Sequence, residues 1–273
     1  MKKGILLICV LLIAASCSEY QKVLKKDDVA AKYALGEKFY NEGVEEESNG
    51  KLKKALKLFE QIVPSYRGKP QAQKLMFMYA NTYYLLGDFY ISSYQFERFV
   101  QLYPSSDKLE EAFFKSAKSY YEESPRYTLD QTDTKKAIDK LQAYINRFPE
   151  GENIKQANEL LIELRTKLDK KAYEIAKQYH HTEDYKAAIE AFENFILEYP
   201  GSPFRERAYY YKFDAAYELA INSIASKTQE RLDAAEDYYN NYIKYYPEGE
   251  FAEQANTALS DIKSRQTNEE ETL

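Results

Sequence analysis

An aromatic-proline pair recurs along the chain at Tyr103-Pro104, Phe148-Pro149, Tyr199-Pro200 and Tyr246-Pro247, and aligning on the proline brings the preceding residues into register. Twelve positions earlier stand Ser92, Ala137, Ala188 and Ala235, and eight earlier Phe96, Leu141, Phe192 and Tyr239. Five earlier are Phe99, Tyr144, Phe195 and Tyr242, and four earlier Val100, Ile145, Ile196 and Ile243. These offsets share one face of a helix. Each copy is therefore predicted to be an amphipathic helix that proline stops.

A fifth copy appears when Tyr66-Arg67 is placed on the pair, with Ala55, Phe59, Ile62 and Val63 in the matching positions. Each copy also has an earlier helix. Leu75, Met78, Tyr79, Thr82, Tyr83 and Leu86 form an apolar stripe that ends at Gly87-Asp88-Phe89, where glycine permits the backbone to leave the helix. One helical hairpin cannot bury such a stripe alone, so hairpins stack, and small residues at Ala137, Ala188 and Ala235 let paired helices approach closely. The tyrosine, proline and small-residue pattern resembles the tetratricopeptide repeat. The predicted fold class is all-α: a right-handed superhelix of about five tetratricopeptide-like helical hairpins plus a C-terminal capping helix. Repeats are expected over 30–69, 70–106, 107–151 with an insertion at 125–134, 152–202 with a long first helix, and 203–249. A capping helix over 250–265 and a disordered tail over 266–273 complete the division.

Composition agrees with a packed helical chain. Of 273 residues 44% are hydrophobic, which is too high for intrinsic disorder, and 9 glycines among 27 tyrosines suit helices that need glycine only at turns. The net charge of -6 argues against a general nucleic-acid binder, which needs clustered Lys and Arg.

The N-terminus has a different logic. Lys2 and Lys3 precede an apolar run from Ile5 to Ile13, and Ala14-Ala15-Ser16 is a small-residue exit before Cys17. This layout resembles a bacterial lipoprotein signal over 1–16, although Ala14 stands where such signals more often carry leucine. Cleavage between Ser16 and Cys17 would leave Cys17 as the lipidated first residue of an N-terminal linker over 17–29. Cys9 leaves with the signal, so the mature chain has no second cysteine for a disulfide. It also keeps 36 basic against 44 acidic side chains, so lipid rather than charge is expected to hold it at a membrane.

No catalytic constellation is visible, and the chain is not expected to be an enzyme or to carry a cofactor beyond the covalent lipid on Cys17. His180 and His181 are adjacent, so on a helix they point about 100° apart and do not chelate one ion as an i, i+4 pair does. No metal site is expected.

The lipoprotein signal joined to five such repeats resembles the BamD family, lipoprotein components of the outer-membrane β-barrel assembly machinery. The segment from Cys17 to Lys25 is similar to the mature start of its Bacteroidetes-type members. Leu129-Asp130-Gln131 with Lys136-Ala137-Ile138 resembles its third-repeat insertion, and Glu163 to Ala176 its long helix. The resemblance implies a scaffold at the outer membrane, lipid-anchored and facing the periplasm, that binds the periplasmic domains of the β-barrel insertase and unfolded outer-membrane protein clients. It implies a peptide groove, expected at Tyr79, Asn81, Tyr83 and Tyr84, and an insertase contact. For that contact the family uses an arginine soon after the aromatic-proline pair of the fourth repeat, here Tyr199-Pro200. Here Glu206 stands at the matching place, flanked by Arg205 and Arg207. The alternative readings are another periplasmic repeat lipoprotein of cell-envelope maintenance and a glycan-capturing lipoprotein. The absence of sustained heptads disfavours the first, and Trp 0 the second.

Overall fold

The computed structural model describes residues 19–270, so the signal over 1–16, the cleavage site at Ser16 and Cys17 itself lie outside the described residues. The described residues contain helices and no strand. They run α1 Val29–Glu45, α2 Asn49–Ile62, a 3-10 turn Val63–Tyr66, α3 Ala72–Leu85, α4 Phe89–Leu102, α5 Leu109–Glu122 and α6 Thr132–Arg147. They continue with α7 Ile154–His181, α8 Tyr185–Glu198, α9 Arg205–Ile221, α10 Ala225–Tyr245 and α11 Ala252–Glu270.

Local chemistry sets the hairpins. The turns into α2, α4 and α8 pass through left-handed residues, Glu47 at φ 50, Gly87 at φ 78 and Glu183 at φ 61. After the latter two, Asp88 and Asp184 cap the next helix, accepting the amides of Ile91 and Ala187 at 3.4 and 3.3 Å. Asp28 caps α1 in the same way through Ala31, at 2.9 Å. The aligned small positions Ala55, Ser92, Ala137, Ala188 and Ala235 are all fully buried, as expected of the points where helices cross most closely. Fully burying an aromatic such as Phe59, Phe96, Phe99 or Phe192 removes enough apolar area to contribute roughly 2–3 kcal/mol each before cavity and entropy terms.

The helices form two compact units. The first holds α1 to α6 and the start of α7, up to Leu161; the second holds the rest of α7, from Ile162, with α8 to α11 and the short segment Arg126–Gln131. That segment lies within the insertion expected at 125–134. It closes on itself, because buried Gln131 donates its amide to the carbonyls of Arg126, Leu129 and Asp130 at 3.0, 2.9 and 3.2 Å. It is fastened to α7 by Lys171, which donates to the Leu129 carbonyl, and by Lys170, 4.5 Å from the Tyr127 ring centre. The long first helix expected in the fourth repeat is α7, a single helix of 28 residues.

Two departures from the sequence expectation concern the ends. Residues 19–25, placed in a linker, are helical, and Tyr20 is buried. At the other end, α11 runs to Glu270, past the expected boundary at 265. Gln266 reaches Asp233 on α10 at 2.9 Å, and Lys263 pairs with Glu236, so polar contacts hold a stretch that lacks an apolar stripe.

A polar clasp recurs once in each unit. In the first, Glu110 Oε1 accepts from the Tyr144 hydroxyl at 2.9 Å and from the Glu152 amide at 2.8 Å, while the Asn153 amide donates to Tyr144 at 3.3 Å. In the second, Glu206 accepts from Tyr242 at 3.3 Å and from the Glu250 amide at 2.6 Å, and the Phe251 amide donates to Tyr242 at 3.1 Å. A Cβ on Gly151 would lie 2.7 Å from the Tyr144 hydroxyl, and one on Gly249 2.6 Å from that of Tyr242, so close that the tyrosine or its glutamate partner must shift. Burial first, then the hydrogen bond to the glutamate, pushes the Tyr144 phenol up to about 12. Tyr242 is also raised to about 12, chiefly by burial.

Candidate functional site: a braced cleft on the first unit

The first helix of each hairpin uses one stripe for the core and leaves another free. In the first unit the free stripes of α1, α3 and α5 line a cleft of about 630 Å³. Its walls carry Tyr40 and Val44 from α1, Phe77, Asn81 and Leu85 from α3, and Lys108, Glu111 and Lys115 at or in α5. Phe77, Asn81 and Leu85 fall at i, i+4 and i+8, which places them on one side of α3. Val44 and Leu85 are 45% and 39% exposed, an uncovered apolar edge.

A chain of hydrogen bonds braces the three helices. Asn81 donates to the Tyr40 hydroxyl at 2.7 Å and accepts from the Lys115 ammonium at 2.7 Å. Lys115 also reaches Glu111 at 2.8 Å, and Lys108 meets the other oxygen of Glu111 at 2.9 Å. Both ammoniums lie over the Phe77 ring, 5.5 and 5.7 Å from its centre. Burial pushes the Glu111 carboxyl upward, but the hydrogen bonds from Lys115 and Lys108 outweigh it and hold the group below its usual range. Burial raises the Tyr40 phenol, opposed by the bond from Asn81. The lining includes three lysines, Lys74, Lys108 and Lys115, against Asp107 and Glu111, so the cleft is cationic over an aromatic floor.

Of the residues expected in a groove on α3, only Asn81 lines this cleft, and both ends of its amide are already committed to the brace. Tyr79 and Tyr83 lie about 200° and 160° around the helix from the cleft side. They pack edge to face, and buried Tyr83 donates to Glu60 on α2 at 3.0 Å. Tyr84 packs on Phe89 and Phe96, with Lys115 above it, and serves the hairpin core. Tyr79, Tyr83 and Tyr84 thus pack within the hairpins, and other positions of α3 and α5 line the cleft.

In the second unit Arg205 and Arg207 lie about 200° apart on α9, on different sides. Arg205 packs over Tyr209 and Tyr245, at 5.1 and 5.7 Å, and donates to the Tyr209 hydroxyl at 3.3 Å. Arg207 forms a bidentate pair with Glu250, at 3.0 to 3.2 Å, and both partners are about half exposed. Glu206 is spent in the clasp. His180 is engaged with Asp214 at 2.7 Å between the rings of Tyr185 and Tyr211, and among the described residues no cluster of His, Cys, Asp and Glu is suited to a metal ion. No described helix is long and apolar enough to cross a membrane.

Stacked helical hairpins with an open, braced cleft on the first unit define a helical-repeat protein. Its family is given by sequence: residues 34–190 and 173–272 match the family model YfiO, outer membrane lipoprotein, and the chain belongs to that family. A curated relative, the outer membrane protein assembly factor BamD of Caulobacter vibrioides, is 21% identical over 220 residues, covering 81% of this chain and 72% of the relative. Among solved structures, two crystal structures of the nearly identical tetratricopeptide-like repeats of a kinesin light chain from Podosopora anserina, one of them a variant, overlay with TM-scores of 0.33. They are 13% and 14% identical, and cover 76% and 74% of this chain and 96% and 93% of theirs.

Proposed function

We propose that this chain is a non-catalytic outer-membrane lipoprotein scaffold that takes part in assembling β-barrel proteins into the outer membrane. It holds extended client segments in the cleft of the first unit and contacts the insertase through the second. Family membership and the name of the Caulobacter relative support the assembly role. The observation that carries the peptide-binding reading is the aromatic floor of Phe77 beneath the ammoniums of Lys108 and Lys115. An extended segment ending in an aromatic residue and a free carboxylate matches that arrangement: the ring is buried on Phe77 and Leu85, and the carboxylate meets a half-exposed ammonium. On the second unit, exposed Arg207 can exchange Glu250 for an acidic partner. Cys17 carries the lipid that anchors the scaffold on the periplasmic face.

Fluorescence polarisation with a labelled peptide ending in phenylalanine tests the cleft. Amidating the peptide's C-terminus should weaken binding by roughly tenfold, the loss of one charge-assisted contact of about 1.5 kcal/mol, and Phe77→Ala should weaken it further. Equal binding of acid and amide, with Phe77→Ala unchanged, would sink the assignment. Cys17→Ala should move the protein from the membrane to the soluble fraction; continued retention would remove the anchor.

A further inference from the structure

The helical segment over 19–25 precedes the family match, which begins at residue 34. Its apolar residues Tyr20, Val23 and Leu24 fall at i, i+3 and i+4, and all pack on the core of the first hairpin with Ala55, Leu58 and Ile62. Tyr20 is 5% exposed and meets Phe39 edge to face, ring centres 5.7 Å apart. The Lys54 ammonium on α2 lies 5.7 Å from the Tyr20 ring centre and 5.2 Å from that of Phe39.

Cys17 stands three positions before this buried tyrosine. A chain reaches at most about 3.6 Å per residue, so the two α-carbons lie within about 11 Å of each other. A lipid on Cys17 would therefore be tied closely to the hairpin. The nearby surface is basic: Lys22, Lys25 and Lys26 on the segment and Lys53, Lys54 and Lys57 on α2, against Glu19, Asp27, Asp28 and Glu60. Among the described residues Lys22, Lys25, Lys26, Lys53 and Lys57 have no carboxylate partner. The segment and α2 thus set these six lysines against four carboxylates in a chain whose total charge is negative.

We infer that the docked N-terminal segment and the lysine face of the first hairpin form a surface that lies against the anionic headgroups of a lipid leaflet. The inference rests on the proposed acylation of Cys17. The acyl chains supply permanent attachment, and the lysines set orientation, since each is attracted to an anionic surface only within about a Debye length of ~8–10 Å. The hairpin is thereby held flush to the leaflet instead of hanging from a loose tether.

Both Cys9 and Cys17 are accounted for in the mature acylated chain, so an introduced cysteine takes a single label. Full-length acylated protein carrying a fluorophore at Lys57→Cys, or at Glu123→Cys at the end of α5, is placed in phosphatidylglycerol-containing vesicles bearing a headgroup quencher. Quenching at position 57 should exceed that at 123 by about threefold or more, because position 123 lies two hairpins further along, roughly two helix spacings of 8–10 Å each. Tyr20→Ala, verified as folded by circular dichroism, should lose most of the difference while still floating with the vesicles. Equal quenching at the two positions in protein whose mass shows the acyl chains overturns this inference alone. Absence of acyl mass on Cys17 overturns the anchor as well, and undiminished quenching in pure phosphatidylcholine refutes the role of the lysines.

Discussion

Replacing Gly151 by alanine adds one methyl group at a place with no room for it. Gly151 does not sit at a positive φ, so alanine meets no backbone penalty and the effect isolates space alone. The new Cβ would fall 2.7 Å from the Tyr144 hydroxyl, also pressing the Glu110 carboxylate that accepts from Tyr144 and Glu152. Overpacking costs about 1–3 kcal/mol, and breaking a hydrogen bond to a charged acceptor adds about 1.5 kcal/mol. Gly151→Ala should therefore destabilise the first unit by roughly 2.5–4.5 kcal/mol. Gly249→Ala, 2.6 Å from Tyr242, should do the same to the second. Urea unfolding gives the total, and amide hydrogen exchange locates it: protection should fall in α5 and α6 for the first variant, and in α9 and α10 for the second. In a Glu110→Ala background the same glycine substitution should cost at least about 1 kcal/mol less, because one obstacle is gone. A Gly151→Ala protein within about 0.5 kcal/mol of the parent, the range of an ordinary surface change, would refute the clasp as a packing constraint.

Glu183 holds a left-handed conformation that glycine adopts freely, so Glu183→Gly should raise stability by up to about 1 kcal/mol in a urea melt, while Gly87→Ala should lower it by a similar amount. Glu111 has a folded pKa below its ordinary value, so its pairing with Lys108 and Lys115 contributes fully above the unfolded carboxylate pKa and is lost as pH falls through the lower folded value. Glu111→Gln should accordingly flatten the acid limb of the stability profile below about pH 4.5. Lys108→Ala should weaken binding of a carboxylate-ended peptide and reduce its salt dependence, with little change in folding, because the ammonium is half exposed.

The second helix of each hairpin was largely legible in the sequence, since Phe96, Leu141 and Phe192 repeat at one offset from proline and all three are fully buried. The clasp was not. Tyr144 and Tyr242 read as aromatics equivalent to Phe99 and Phe195, and their hydroxyls find partners at Glu110 and Glu206, more than thirty residues upstream. The cleft was not legible because apolar periodicity marks the buried stripe, to which Tyr79 and Tyr83 belong, whereas Phe77 and Lys115 carry no periodic signal of their own. Tyr20, Val23 and Leu24 span too few residues to establish a helical period, so a docked segment looked like a tether. The Tyr-Glu-Gly clasp also explains Glu206: a carboxylate there closes the fifth hairpin, which leaves Arg205 and Arg207 to point elsewhere.

The brace from Tyr40 through Asn81 to Lys115 joins three successive hairpins side chain to side chain across the open face. Its members fix the spacing between neighbouring helices, so for the client proposed above the cleft would act as a ruler. An extended chain laid along it advances about 3.3 Å per residue. A shift of one residue therefore carries an anchoring ring off Phe77 and turns it to the opposite side of the strand. If the cleft holds clients as proposed, such a ruler would select by interval, admitting varied sequences that share the same separation between an aromatic residue and a negative charge.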